Sequence, residues 1–208
     1  MTTAMPSTSR ARALIALLLG VLLCATPRDA VAQARLPSAE LLSLQELASE
    51  YYKAGDLREA LATSQKALAL ALREFGPDHE QTAVQTYGIA YVAEALGDLA
   101  TAERQYRESL RVREIVYGRD SAGSAQAMER LARVMLRQGR VAEAEALSRR
   151  VLAIRSALVG GDHAFNATAH ADLGASALAR NDTTAALASY REAVRLLVGQ
   201  KAQAVPFK

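Results

Sequence analysis

The chain has 208 residues, which is long enough for one domain with a sizeable hydrophobic core. Half of the residues are apolar but only 5% are aromatic, and much of the apolar half is alanine and leucine, which favours closely packed helices over a β-sandwich. The 25 basic residues nearly balance the 22 acidic ones, so the net charge gives no support to a nucleic-acid binder.

Residues 1–32 carry the parts of a secretory signal peptide in the usual order. A basic start precedes an apolar run of 13 residues, Ala13–Ala25, and small residues at positions 30 and 32 suit a signal peptidase. The run is shorter than the ~20 residues that a membrane-spanning helix needs, which argues against a membrane anchor. We therefore predict cleavage between Ala32 and Gln33, a periplasmic or secreted location, and no membrane span after cleavage.

Cleavage changes what the mature chain can do. Cys24 is the only cysteine and leaves with the signal peptide, so the mature protein can form no disulfide and no cysteine-based redox or metal site. Three arginines and one aspartate leave as well, and the mature chain then has 22 basic and 21 acidic residues, a net charge of +1. This near-neutral balance again predicts no nucleic-acid partner.

After a short linker, residues 33–40, the sequence repeats with a period of 42 residues over residues 41–200. The repeated stretches are "AGDLREALATSQKAL", "LGDLATAERQYRESL", "QGRVAEAEALSRRVL" and "RNDTTAALASYREAV". Residues that recur at this period are Gly55, Gly97, Gly139 and Asn181, then Ala60, Ala102, Ala144 and Ala186, and then Gly76, Gly118 and Gly160. Residues 201–208 are predicted to form a flexible tail.

Each repeat unit is predicted to contain two antiparallel helices. The first glycine or asparagine of a unit stands where the chain leaves the first helix through a left-handed conformation, which these two residue types adopt most cheaply. The second helix then runs about 19 residues to the next glycine. Asp78, Asp120 and Asp162 are expected to cap the helix that follows. Because no strand signal occurs, the predicted fold class is an all-α solenoid of about four helix pairs.

This pattern resembles the tetratricopeptide repeat (TPR) family. The stretch "YRESLRVREIVYGRDSAGSAQAMERLARVMLRQGRVAEAEALSRRVLAIRSALVGGDH" resembles the branch with 42-residue repeats found in kinesin light chains. The resemblance covers nearly all of the mature chain and implies a right-handed α-solenoid. It also implies a non-catalytic protein–protein interaction scaffold, in which the first helix of each pair lines a concave groove that receives an extended or helical peptide.

The sequence departs from kinesin light chains at one feature of the groove. Kinesin light chain repeats typically carry paired asparagines early in the first helix, where they can clamp a peptide backbone. The corresponding pairs in this chain are Gln45-Glu46, Tyr87-Gly88, Glu129-Arg130 and Ala171-Asp172. The resemblance therefore implies the groove but not this clamp.

Reactive motifs are missing from the sequence. His79 and His163 occupy equivalent positions two repeats apart, and His163 and His170 are ~10 Å apart along a helix, so no pair of them can share a metal ion. No phosphate-binding loop, HExxH or GxSxG motif occurs. We predict no catalytic site, no cofactor and no metal, and we expect the histidines to serve in loops and caps.

Tyrosines mark a first candidate binding surface. The repeat alignment places Tyr52, Tyr87 and Tyr91 on the first-helix face that lines the groove, with Glu94 one turn beyond. Tyrosine supplies a large contact area at a low entropic cost, which suits binding of a partner. The alternative is that these side chains fill space between neighbouring first helices.

Charged residues of the third repeat mark a second candidate. Arg133 and Arg137 are expected to point into the groove, where they can donate hydrogen bonds to the carboxylates of an acidic peptide or of a C-terminus. The alternative is a solvated surface on which Glu129 pairs with Arg133 at i, i+4 spacing.

At the C-terminal end we expect no capping helix, because the "QKAQAVPFK" after Gly199 is too short to form one. Either polar side chains of the last helix shield its outer face, or this face meets another copy of the chain. The sequence thus favours an exported scaffold for a peptide or protein partner, with a self-assembling structural protein of the cell envelope as the alternative.

Export can be checked on the protein itself. When the complete sequence is expressed in a bacterial host, we expect the chain in the periplasmic fraction with Gln33 as its first residue. Mass spectrometry of the N-terminal peptide measures the cleavage position, and Ala32→Arg should prevent cleavage. An unprocessed wild-type chain would contradict the prediction.

Overall fold

The computed structural model describes residues 36–204, with side chains described as far as Gly199. Its helices are α1 Ala39–Ala54, α2 Leu57–Phe75, α3 Glu80–Leu96, α4 Leu99–Tyr117, α5 Ala122–Arg137, α6 Val141–Val159, a 3-10 helix Ala164–Asn166, α7 Ala167–Ala179 and α8 Thr183–Ala204. No strand occurs among these residues. The predicted signal peptide and its cleavage site lie outside the described residues, and α8 continues past residue 200, where the sequence analysis ends the solenoid.

The helices form four consecutive pairs, in which α1, α3, α5 and α7 are first helices and α2, α4, α6 and α8 are second helices. Each helix packs chiefly against its neighbours in sequence, both within a pair and between one pair and the next. The predicted all-α solenoid is therefore confirmed. This connectivity places successive first helices side by side, so their side chains can share one surface.

The turn within each pair has the predicted left-handed residue. The backbone φ angle is +88° at Gly55, +82° at Gly97, +79° at Gly139 and +61° at Asn181. Each turn is closed by a backbone hydrogen bond that reaches back five residues, as from Asp98 N–H to the carbonyl of Ala93 at 2.9 Å. The 42-residue period of glycine and asparagine is thus a period of helix ends.

The predicted aspartate caps are wrong. The residue one position later caps the following helix in each case: His79 Nδ1 accepts from Gln81 N–H at 3.1 Å, and Ser121 Oγ accepts from Ser124 N–H at 3.1 Å. His163 does the same for the 3-10 helix before α7. Because the helices begin one residue later than the aspartate spacing requires, the carboxylates lie outside the capping position.

The same aspartates tie each turn between pairs to the second helix that follows. Asp78 pairs with Arg111 of α4 at 2.7 Å, and Asp162 pairs with Arg195 of α8 at 2.6 Å. Asp120 is 3.5 Å from Arg150 of α6. These pairs are solvent-exposed, so we expect each to contribute less than about 1 kcal/mol to stability.

The hydrophobic core continues across the boundaries between pairs. Its largest cluster joins residues of α3, α4, α5 and α6 and includes the fully buried Tyr106 of α4. Ile89 and Leu131 are each only 3% exposed because the preceding second helix covers them, whereas Leu47, at the same position of α1, is 39% exposed. A first helix is therefore buried by two neighbours, and among residues 36–204 α1 has only one of them.

Small residues allow the helices of a pair to approach closely. The alanines at the repeated position of the second helix, Ala60, Ala102, Ala144 and Ala186, are all buried. Gly174 on α7 is closer still to its partner, since an added Cβ would lie 2.9 Å from Cε1 of the Tyr190 ring on α8. Gly88 on α3 is the opposite case, because an added Cβ there would have no neighbour within 4 Å.

These two helical glycines make a matched pair for a stability test. Gly88→Ala should raise the free energy of unfolding by about 0.5–1 kcal/mol, because alanine lowers the entropy lost on forming a helix. Gly174→Ala should lose this gain because the Tyr190 ring must move. In a Tyr190→Ser background, which lacks the ring, Gly174→Ala should again raise the free energy of unfolding. Urea denaturation measures all three changes. An equal gain from both alanines in the wild-type background would contradict the assigned contact.

Candidate functional site

Side chains of the first helices touch one another along one side of the solenoid. We call this the first-helix surface and define it by seven residues. They are Tyr52 of α1, Tyr91 and Glu94 of α3, Glu129, Arg130 and Arg133 of α5, and Asp172 of α7. The structure thus brings together most of the residues that the sequence analysis assigned to the groove.

The aromatic part of the first-helix surface joins three successive first helices. The rings of Tyr52 and Tyr91 have centroids 5.0 Å apart and are tilted by 47°. The guanidinium carbon of Arg130 lies 4.6 Å from the centroid of the Tyr91 ring, a cation–π contact. Both tyrosines are half-buried, and the pKa of Tyr52 is raised, first by its hydrogen bond with Tyr91 and then by burial. The pair therefore presents apolar area to solvent in a fixed arrangement.

Tyr87 is turned toward the second helix of its own pair. Its ring packs edge-on against Tyr106, with centroids 5.3 Å apart, and the guanidinium carbon of Arg113 lies 4.9 Å from its centroid. Burial raises the pKa of Tyr87, and the nearby arginines offset this only in part. Tyr87 thus packs within its own helix pair, whereas the alternative stated for the tyrosines, contact between neighbouring first helices, describes Tyr52 and Tyr91.

Glu94 is held by groups of the protein itself. The Tyr106 hydroxyl donates to its Oε2 at 2.9 Å, and Arg130 and Arg137 lie 4.0 Å and 3.8 Å from its carboxylate. Arg137 also donates to the backbone carbonyl of Glu94 at 3.1 Å. Burial and the Glu94 carboxylate together raise the pKa of Tyr106. Glu94 therefore ties Arg130 and Arg137 of α5 to α3, and only Arg130 also contacts the tyrosine pair.

The remaining charges of the surface form a chain of ion pairs between helices. Arg133 donates through Nε to Asp172 at 2.9 Å and 3.2 Å, and through Nη2 to Glu129 at 2.7 Å. Arg155 donates to the other oxygen of Glu129 at 2.5 Å. Burial raises the pKa of Asp172 in spite of Arg133. Since Arg133 already has two carboxylates, an acidic ligand would have to displace them, whereas half-exposed Arg137 is more open.

A repeated arginine was missed by the sequence analysis. Arg113 and Arg155 lie 42 residues apart on α4 and α6, and each reaches the start of the next first helix. Arg113 donates through Nη1 to the carbonyl of Gly123 at 2.8 Å and to the Gln126 amide oxygen at 2.7 Å. Arg155 donates through Nη1 to the carbonyl of Phe165 at 3.0 Å and to Thr168 at 2.7 Å. Their spacing, which equals the 42-residue period, is the signal in the sequence from which this role could have been inferred.

Open space adjoins the tyrosine pair. A cleft of about 340 Å³ lies between α1 and α3, and Gln45, Ser49, Tyr52, Gly88 and Tyr91 are among its lining residues. The missing side chain of Gly88 keeps this cleft open beside Tyr91. A side chain of a bound segment can therefore enter between the two first helices.

Neither a bilayer-spanning helix nor a metal centre occurs between residues 36 and 204. Between residues 36 and 204, none of the helices combines the length and apolar character that a bilayer span needs. The same residues contain no cluster of three or more histidine, aspartate or glutamate side chains that is arranged to hold a metal ion.

The fold and the shared surface of first helices define the class of this protein, an α-solenoid of helix pairs. The family model "Tetratricopeptide repeat" matches residues 38–115, 84–157 and 123–197, which together cover most of the chain. The chain belongs to the tetratricopeptide repeat family, whose members generally act as protein–protein interaction scaffolds. No curated protein matches it significantly.

Solved structures support the same fold. BtubC (BKLC) from P. vanneervenii aligns with a TM-score of 0.71 and 23% identity over 82% of this chain and 69% of its own. A Podospora anserina protein with nearly identical repeats of the kinesin light chain type gives 0.68 and 19% identity over 79% and 78% of the two chains. MamA gives 0.58 and 16% identity over 78% and 81%. At these identities the likeness concerns the fold.

The arginine contact between pairs can be tested by substitution. Arg113→Met should lower the free energy of unfolding by about 1–3 kcal/mol, because it leaves the Gly123 carbonyl and the Gln126 amide without their donor. Arg149→Met is the control, since Arg149 is exposed and its loss should change stability by less than about 0.5 kcal/mol. Equal effects in urea denaturation would contradict a role for Arg113 in joining the pairs.

Proposed function

We propose that this protein is an exported, non-catalytic scaffold that binds a peptide segment of a protein partner on its first-helix surface. The observation that carries the proposal is the Tyr52–Tyr91 pair beside the open cleft at Gly88. Family membership supports the scaffold class, and the signal-like residues 1–32 support a periplasmic or secreted location.

The chemistry of the surface indicates what kind of segment it suits. Most of its arginines already face carboxylates of the protein, so charge attraction contributes little to recognition. The tyrosine pair and the cleft favour a segment with an apolar or aromatic side chain that enters between α1 and α3. Arg137, at the edge of the surface, can meet a carboxylate of the same segment.

The proposal can be tested with a displayed library of random linear peptides. Peptides selected on the wild-type protein should bind Tyr52→Ala/Tyr91→Ala at least about ten-fold more weakly, because removing two aromatic contacts costs more than about 1.4 kcal/mol. Gly88→Leu should weaken binding as well, since it fills the cleft while both tyrosines remain. Isothermal titration calorimetry measures the affinities.

The matched control removes apolar area from the second helices. Leu72→Ala/Ile115→Ala changes two exposed apolar side chains on α2 and α4 and should leave the affinity unchanged. Peptides that bind all four proteins with equal affinity would contradict binding on the first-helix surface. A library that yields no binder to the folded wild-type protein would contradict peptide recognition.

A further inference from the structure

Gln85 of α3 is a buried polar side chain with an unpaired amide nitrogen. It is 5% exposed, and its Nε2 has no hydrogen-bond partner among the described residues. The next two repeats have alanine at this position, Ala127 and Ala169, and both are fully buried. A buried donor without an acceptor costs stability, which alanine at the same place would not do. Packing of the free protein therefore does not explain why this position is a glutamine.

The cleft between α1 and α3 reaches this side chain. Gln85 lines it, and so does Ser64 of α2. The position of Ser64 holds a tyrosine on α4 and α8, Tyr106 and Tyr190, and a serine on α6, Ser148. On α4 the tyrosine is fully buried and fills the space beside its first helix. The serine of α2 is much smaller, and its place borders open space instead.

The groups that line this cleft are uncharged. Within the described part of the chain, its polar lining residues are Gln45, Ser49, Tyr52, Ser64, Gln85 and Tyr91, and none of the others carries a charge. A charged side chain would lose its hydration there without meeting a group of opposite charge. A purely apolar side chain would leave Gln85 unpaired. The cleft thus suits an uncharged side chain whose end forms hydrogen bonds.

A carboxamide matches Gln85 better than a hydroxyl group does. Each carboxamide has an acceptor oxygen and an NH₂ donor, so two of them can form two hydrogen bonds with each other, whichever way the Gln85 amide is turned. The single oxygen of a hydroxyl group can make only one of these bonds in good geometry.

We propose that the cleft selects a side-chain carboxamide of the bound segment, and that Gln85 is the residue that recognises it. The inference rests on the proposed function and adds a polar end to the side chain that enters between α1 and α3. The apolar stem of that side chain lies against the tyrosine pair, and its carboxamide pairs with Gln85.

Selection from a displayed library of random linear peptides tests this recognition. Peptides that bind the wild type but not Gly88→Leu, in which the cleft is filled, should share a glutamine or asparagine. Exchanging it for the similarly shaped methionine or leucine should weaken binding to the wild type at least about ten-fold, because Gln85 is then left unpaired. In Gln85→Met the same exchange should cost less than about two-fold, since no amide remains to be paired. Isothermal titration calorimetry measures the four affinities.

A stability measurement separates recognition from a structural role. Gln85→Met should not lower the free energy of unfolding in urea, because the amide nitrogen has no bond to lose. Gln126→Met is the matched control: its amide oxygen accepts from Arg113 and it does not line the cleft, so it should lose stability and keep the affinity. A loss of stability in Gln85→Met as large as that in Gln126→Met would overturn the proposal.

The selected peptides also distinguish this inference from the proposed function. Peptides that share leucine, phenylalanine or tyrosine, or that bind equally well with glutamate in place of the glutamine, would overturn carboxamide recognition and leave peptide binding intact. Peptides that bind Tyr52→Ala/Tyr91→Ala as tightly as the wild type would contradict the proposed function itself.

Discussion

A helix pair of this chain has two apolar faces, and only one of them is buried within the pair. The other must be covered by the next pair, which is why Ile89 and Leu131 are 3% exposed between two neighbours and Leu47, at the end, is 39% exposed. This requirement explains the strict 42-residue period, because an insertion within a helix would turn its apolar side chains away from the neighbouring helix that covers them. It also explains the buried alanines, the arginines that join one pair to the next, and the exposed apolar side chains on α1 and α8.

The same stacking decides what the first-helix surface can offer a partner. Bringing α3, α5 and α7 side by side places Glu94 near Arg130 and Arg137, and Asp172 near Arg133. Most of the charged side chains on this surface therefore form ion pairs between helices, and these pairs help to fix the relative positions of the helices. What remains for recognition is the aromatic pair of Tyr52 and Tyr91 and the space that Gly88 leaves open. The surroundings of a tyrosine change within one turn of α3, because Tyr91 lies on the first-helix surface whereas Tyr87 packs against the core.

Much of the fold was predictable from the sequence because the residues that repeat act on the local backbone conformation. The glycines and Asn181 identify helix ends through backbone conformation alone, and all four have the expected positive φ. The caps were placed one residue too early, since a cap depends on where a helix starts and several nearby side chains can serve. The Glu129–Arg133 pair follows from its i, i+4 spacing on one helix. The other partner of Arg133, Asp172, and the partners of Glu94 could not be predicted, because they lie on other helices, 39 residues away in the case of Asp172. Arg113 and Arg155 were within reach, as their spacing matches the repeat.

Native-state hydrogen exchange tests most directly the claim that contacts between neighbouring pairs hold this molecule together. Within residues 36–204, each helix from α3 to α6 packs between two neighbouring helices, whereas α1 and α8 are each covered on one side only. We expect backbone amides of α3–α6 to open together and with the highest free energies, and those of α1 and α8 to open independently and with lower free energies. Uniform opening free energies from α1 to α8 would contradict it, because the end pairs would then be as well supported as the inner ones.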